Sequence, residues 1–181
     1  SMSKTMLKSF KNLAIAINKN LKPKKILEIG SNDGSFIKNF SKKKVIGIEP
    51  CSNIEKITKK KGFNTYPLYW NLKTAKKLLK KEGKVDLIYS ANTISHIEDL
   101  DQVFKSINIL LNDNGTLIVE DPSLLECLKK NTYDQFYNEH IYVFSLLGIE
   151  NILKKHNFEI FHVQNLEIHG GSNRYFIKKK I

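Results

Sequence analysis

The sequence predicts a three-layer α/β fold built on a seven-stranded, mostly parallel sheet whose last strand runs antiparallel. Three observations carry this. Apolar runs of strand length alternate with helix-like segments five times between residues 25 and 119. The first run leads into a glycine-bearing turn, EIGSNDG (Glu28 to Gly34), and the second ends on an acid, Glu49 of GIEP. Near the C-terminus, two strand-like runs at 158–168 and 175–177 are joined by His169-Gly170-Gly171-Ser172, in the manner of a hairpin. Alternation of this kind implies a parallel sheet wrapped on both faces, with ligands at the carboxyl ends of its strands.

Each element has a local signal. Met6, Leu7, Phe10, Leu13, Ala14 and Ile17 recur at helical spacing, so residues 4–18 form an amphipathic helix that packs on the domain. Pro23 breaks the chain before the first strand, 25–29; a helix over 35–40 and the strand 45–48 follow. Pro50 ends that strand, Ser52 caps the next helix and Gly62 stops it. A short third strand spans 63–66. A helix over 72–81 ends at Gly83, and Val85, Leu87, Ile88 and Tyr89 make a buried fourth strand. Asp99 or Asp101 starts a helix over 103–111, Asn114-Gly115 is a turn, and 116–119 is the fifth strand. Residues 121–140 are less regular, and a helix over 145–156 precedes the closing strands. No repeat, linker or low-complexity tract interrupts the chain. One domain over 1–181 is expected, with a Rossmann-like core from about residue 25.

The 181 residues suffice for a full core, and 41% hydrophobic with 27% charged residues is ordinary for a globule. No apolar run approaches the ~20 residues that span a bilayer, and no signal-peptide core follows the N-terminal lysines, so a cytoplasmic protein without a membrane partner is expected. Ser1 ahead of Met2 has the form of a tag remnant. Cys51 and Cys127 form no C-x-x-C pair, which argues against a zinc site or a disulfide framework, and no metal is expected. The net charge of +12 invites nucleic acid. Nearly all of it is lysine, however, with Arg174 the single arginine, whereas base readout and phosphate forks favour arginine. Nucleic acid is therefore not the expected partner.

The turn after the first strand carries the chemistry. Its spacing departs from the dinucleotide fingerprint G-x-G-x-x-G. It matches the E-x-G-x-G-x-G pattern of S-adenosylmethionine-dependent methyltransferases, with Asn32 at the middle glycine. Gly30, Ser31, Asn32 and Gly34 would let the backbone approach the amino-acid tail and ribose. Glu28 and Asp33 would meet the ammonium, directly or through water, and Glu49, followed by Pro50, would accept the ribose hydroxyls. The alternative is a tight turn in some other α/β protein. Ala91 and Asn92 follow the fourth strand at the ligand edge, where Asn92 would reach the methionine moiety or the acceptor. His96 lies just beyond and reads equally as a ligand-edge group or as a structural histidine. Tyr69 and Trp70 either flank adenine or belong to the core. Tyr137-Asn138-Glu139-His140 is the densest polar cluster: a general base beside a carboxylate and a phenol, or a solvated loop.

Several stretches together match one family. EIGSNDG, GIEP, ANTISHIEDL (Ala91 to Leu100), VEDP (Val119 to Pro122), YDQFYNEHIYVFSL (Tyr133 to Leu146) and HGGSNRY (His169 to Tyr175) occur in that family's order. The chain resembles the catalytic domain of nucleotide-sugar C-methyltransferases, which act on keto-deoxysugars. The resemblance implies the class I methyltransferase version of the fold, with S-adenosylmethionine as cofactor and S-adenosylhomocysteine as product. The family's Y-H-E-H motif falls on Tyr137 to His140, so Tyr137, Glu139 and His140 are implied around the acceptor, His140 as base. Asn138 replaces the motif's first histidine, and Val143 a following tyrosine. His96, Asn138, His169, Ser172 and Arg174 are the candidate acceptor-binding residues. The family also carries an N-terminal domain rich in C-x-x-C pairs and a second C-terminal α/β domain, neither of which this sequence contains.

The expected activity is methyl transfer to a sugar or nucleotide-sugar, on carbon through an enolate or on oxygen. The missing domains leave three arrangements open: a fragment of a longer enzyme, a stand-alone enzyme with another acceptor, or a site completed by a partner or a homodimer. A cofactor-binding subunit inactive by itself is the competing expectation. A nucleic-acid methyltransferase is a third, weakened by the absence of an N/D-P-P-Y or cysteine-centred motif.

Overall fold

The computed structural model describes residues 3–132, 135–168 and 170–180. Six α-helices are found among them: α1 (Lys4–Asn20), α2 (Ser52–Lys60), α3 (Leu72–Glu82), α4 (Leu100–Leu110), α5 (Leu124–Lys130) and α6 (Leu146–Lys155). The strands are β1 (Ile26–Ile29), β2 (Val45–Ile48), β3 (Asn64–Tyr66), β4 (Val85–Ala91), β5 (Leu111–Pro122), β6 (Phe158–Leu166) and β7 (Ser172–Lys179). They form one sheet in the order β3-β2-β1-β4-β5-β7-β6. β1 to β5 pair in parallel, and β7 runs antiparallel to both β5 and β6. The seven-stranded sheet with its reversed last strand is thus as expected.

Strand periodicity sorts the core into two layers. Ile26, Val45, Leu87, Tyr89 and Ile118 face α1, which buries Phe10, Leu13 and Ile17 against them. Their neighbours Leu27, Ile46, Ile88, Leu117 and Val119 face α3, α4 and α6. Five helices start on side-chain caps: Ser3, Asn71, Asp99, Ser123 and Ser145 each accept an amide three residues on. α2 does not: Ser52, expected as its cap, is its first residue, and the capping position is Cys51, whose side chain makes no capping bond.

Three further local expectations change. Residues 35–40 form only a 3₁₀ turn, Ile37–Asn39, because Phe36, Ile37 and Phe40 are all drawn under α1. Phe36 stacks on Tyr89 with ring centroids 3.8 Å apart, and the Asn39 amide donates to Ser35 O and Phe36 O. Asn114-Gly115 lies inside β5, where the register jumps from Val85↔Leu111 to Leu87↔Thr116 and loops the intervening residues out of the ladder. The region after β5 contains a helix, α5.

A buried polar network underlies α1. Arg174 of β7 donates through Nε to Glu120 Oε1 at 2.6 Å, and Tyr89 donates to the same oxygen at 2.8 Å. The remaining guanidinium nitrogens reach Gln164 of β6 and Ser9 of α1. Arg174→Met is expected to destabilise the fold by about 3–5 kcal/mol in denaturant titration, because it strands Glu120 as a buried, uncompensated charge. Arg174→Met/Glu120→Leu should recover most of that loss.

Candidate functional site

The carboxyl ends of β1, β2 and β4 open on a cavity of about 930 Å³. Its floor is Glu28 and Gly30 to Asp33, one wall is Glu49 to Cys51, another is Ala91 to Thr93, and Met6 and Phe10 of α1 roof it. Of the ten residues expected around a cofactor, nine line this cavity; Gly34 sits just behind it, against Thr58 of α2. Periodicity marked Met6 and Phe10 as core, and nothing in the sequence singled them out as cavity residues. They became so because α1 crosses the mouth of the sheet.

Backbone geometry explains the residue types. Gly30 has φ +73°, and a Cβ there would lie 2.2 Å from Thr93 Oγ1. Asn32 and Asn92 hold left-handed φ values of 45° and 47°. Asparagine adopts that conformation more readily than other non-glycine residues, which accounts for Asn32 in place of the pattern's middle glycine. Gly30→Ala is expected to lose about 1–2 kcal/mol of stability from backbone strain, with a further loss of cofactor affinity as the two loops are pushed apart. Adding Thr93→Ala should restore part of the affinity, measured by calorimetric titration.

The electrostatics favour a cation. Glu28, Asp33 and Glu49 all line the cavity. Glu49 ties the two loops together, accepting the Asn32 amide at 3.0 Å and the Cys51 amide at 2.9 Å. Glu28 is buried with Oε2 lacking a hydrogen-bond partner. Burial, followed by the charges of Asp33, Glu120 and Glu49, pushes its pKa well above the usual carboxylate range, against the lowering effect of the Ile37 amide. An orphaned buried carboxylate beside a turn that only glycine fits could receive a cationic group. The ammonium and sulfonium of S-adenosylmethionine match it. A second, mostly apolar cleft of about 330 Å³ adjoins, sharing Gly30, Pro50, Thr93 and His96. Tyr69 and Trp70 line it. Trp70 is otherwise core, its indole donating to Val103 O, whereas Tyr69 is 74% exposed.

The loops after β4 and β5 meet at the cavity mouth. Glu139 and His96 both line it. His96 Nδ1 lies 2.6 Å from Glu139 O, and the His96 and His140 rings are 4.8 Å apart. His140 Nδ1 lies 2.7 Å from Gln135 O, and its Nε2 lies 3.1 Å from the Tyr137 hydroxyl. A carbonyl oxygen only accepts, so Nδ1 carries the proton in each neutral ring and Nε2 is the basic nitrogen. The turn bearing His96 is fixed from behind. Ser95 donates to Asp121 Oδ1 at 2.7 Å and accepts the Tyr142 amide through its carbonyl. Burial pushes the Asp121 carboxyl up to about 7.

The remaining expected acceptor residues scatter. Asn138 is exposed on the same turn as His140. His169 lies outside the described residues. Ser172 is buried and donates to Ile168 O, and Arg174 is held in the network beneath α1, directed to Glu120, Gln164 and Ser9 rather than to the cavity mouth. Among the described residues, no His, Cys, Asp and Glu group is arranged to hold a metal ion.

A carboxylate-lined cavity at the carboxyl edge of a sheet of this order is the arrangement of the S-adenosylmethionine-dependent methyltransferases, and S-adenosylmethionine is the cofactor. The chain belongs to the methyltransferase-domain family, whose profile matches residues 3–163. It is 29% identical over 149 residues to the C-methyltransferase NovU of Streptomyces niveus, a match covering 81% of this chain and 36% of that protein. The chain therefore spans about a third of that relative's length. Among solved structures it resembles an S-adenosylmethionine-dependent methyltransferase from Clostridium acetobutylicum, with TM-score 0.74, 14% identity, and 97% and 92% of the two chains covered. It also resembles the magnesium protoporphyrin IX methyltransferase of Synechocystis with bound S-adenosylhomocysteine, with TM-score 0.67, 14% identity, and 97% and 84% covered. At such identities the likeness is one of fold.

Proposed function

We propose that the chain is a single methyltransferase domain that methylates a sugar or nucleotide-sugar, on a carbon beside a ketone or on a hydroxyl. The observation that carries this reading is the His140–Tyr137 pair, whose imidazole lies 4.8 Å from the His96 ring of the cavity lining and, with Nδ1 on the Gln135 carbonyl, turns Nε2 to the Tyr137 hydroxyl. The similarity to a C-methyltransferase points the same way. When bound, S-adenosylmethionine supplies an activated, electrophilic methyl group, so the chain's own work is positioning and proton removal. Glu28 and Asp33 would hold the ammonium, Glu49 the ribose hydroxyls, and Gly30, Ser31 and Asn32 would shape the floor beneath them. Asn92 would border the methionine moiety. His140 would take the proton from the acceptor, with Tyr137 orienting its ring and Glu139 and His96 closing the side of the site.

Deuterium exchange from solvent into a keto-sugar nucleotide, followed by mass analysis of the product, tests the carbon route. Exchange at the carbon beside the ketone and a C-methyl product are expected. An O-methyl product without exchange would move the reading to oxygen, and no turnover on any sugar nucleotide would sink the acceptor class. A second reading is a cofactor-binding subunit completed by a partner, favoured by the exposure of Tyr137, Asn138 and Glu139. It expects cofactor binding without turnover by the chain alone, and activity of the assembled complex that His140→Ala leaves unchanged.

A further inference from the structure

The charge of this molecule is sorted along the strand direction. All parallel strands begin at the edge opposite the cofactor cavity, and the antiparallel β7 ends there. Lysines crowd that edge. Lys22, Lys24 and Lys25 precede β1, Lys42–Lys44 precede β2, and Lys59 and Lys60 precede β3, whereas the Lys61 ammonium turns back to the Asp33 carbonyl at 3.2 Å. Lys80, Lys81 and Lys84 precede β4, Lys154 and Lys155 precede β6, and Lys178–Lys180 close β7. The cofactor cavity itself is lined by Glu28, Asp33, Glu49 and Glu139, and among the described residues no lysine lines it.

Part of this lysine placement serves the helices, since cations favour helix C-termini. That accounts for Lys59, Lys60, Lys80 and Lys81, but not for the runs that open β1 and β2 or close β7. Nor are the charges neutralised locally. The few acids at this edge are already taken. Asp113 pairs with Lys84 at 3.4 Å and Lys179 at 2.9 Å, and Glu159 pairs with Lys178 at 3.1 Å. Asp86 accepts the Lys24 and Lys25 amides, and Glu82 accepts from Tyr66 and Asn64. Among the described residues, no ion pair engages Lys22, Lys24, Lys43, Lys44, Lys60 or Lys80.

We propose that this strand-start edge is a docking face for an anionic phospholipid surface, which holds the chain with its cofactor cavity turned towards solution. A layer of phosphate headgroups suits many separate ammonium point charges, each adding to the attraction within a Debye length. Nucleic acid suits the face less well. Phosphate forks and base contacts draw on arginine, and the only arginine, Arg174, is buried. Two apolar side chains stand out among the lysines in the manner of interfacial anchors: Leu21, 40% exposed beside Lys22, and Ile57, 49% exposed between Lys56 and Lys59. Among the described residues no helix is long and apolar enough to cross a bilayer, but a chain need not cross a bilayer to rest on one.

The test is co-sedimentation with vesicles of mixed phosphatidylglycerol and phosphatidylcholine, against vesicles of phosphatidylcholine alone. Partitioning should be at least about tenfold stronger on the anionic vesicles and should be lost between about 0.05 M and about 0.5 M salt. The variant Lys43→Glu/Lys44→Glu/Lys60→Glu/Lys80→Glu should lose it as well, while S-adenosylmethionine titration of the same variant returns the wild-type dissociation constant and so reports an intact fold and cavity. Equal partitioning on both vesicle types, or anionic partitioning that survives the four substitutions, overturns the proposal. So does tighter binding to a duplex oligonucleotide than to vesicles at equal phosphate concentration.

Discussion

Glu28→Gln is expected to weaken S-adenosylmethionine binding by about 10- to 100-fold while raising the melting temperature of the cofactor-free protein by a few degrees. The two effects have opposite signs because one group causes both. A buried carboxylate that meets an ammonium contributes about 1.5–3 kcal/mol through a charge-assisted bond, which sets the affinity loss. With the cavity empty, that carboxylate is buried among the like charges of Asp33, Glu120 and Glu49, so its pKa lies above the ordinary value of 4.5. Below that value Glu28 holds its proton in both the folded and the unfolded chain and has no effect on stability. As the pH rises towards the folded pKa, the unfolded chain loses the proton first and the cofactor-free fold loses stability; above the folded pKa the penalty is constant. Glutamine has no such penalty. Over the same pH window, wild-type affinity for the cofactor should rise with pH and binding should release a proton, seen as a buffer-dependent enthalpy in calorimetry. The glutamine variant should show neither. A variant that binds as tightly as wild type removes Glu28 from the ammonium site.

His140→Ala is expected to lower turnover by about 10²- to 10⁴-fold with the cofactor dissociation constant unchanged, because the imidazole does not line the cofactor cavity and adjoins it only through the His96 ring, 4.8 Å away. Tyr137→Phe removes only the hydroxyl that meets Nε2 and should cost about tenfold. Steady-state rates on a keto-sugar nucleotide, with calorimetry for the cofactor, separate the two steps. Wild-type turnover by His140→Ala would withdraw the base assignment and favour the subunit reading.

Much of the cofactor side was legible in the sequence because it is contiguous. Glu28 to Gly34 is one turn and Glu49 ends the next strand, so the βαβ pattern alone places them at one edge. Asn32 looked like a departure from the pattern, and its left-handed φ shows why asparagine is tolerated there. The roof was not legible. Met6 and Phe10 carry an ordinary helical stripe, and a stripe does not say which end of the sheet it covers. Arg174 was misleading for a related reason: the HGGSNRY match made it a candidate acceptor-binding residue, yet its register opposite Glu120 buries it against that carboxylate.

By itself the sequence determined the alternation of strands and helices, the reversed final strand, the acidic glycine turn and the class of chemistry. All of these rest on local periodicity, turn preferences and residues close together in the chain. Only the tertiary structure decided that α1 roofs the cavity, that His96 and His140 meet across two loops, and that Arg174 is sealed beneath α1. Only there do lysines from six separate segments come to share one edge. The physical reason is that these relations depend on strand order and side-chain direction between segments far apart in sequence, which long-range packing sets and local patterns do not encode.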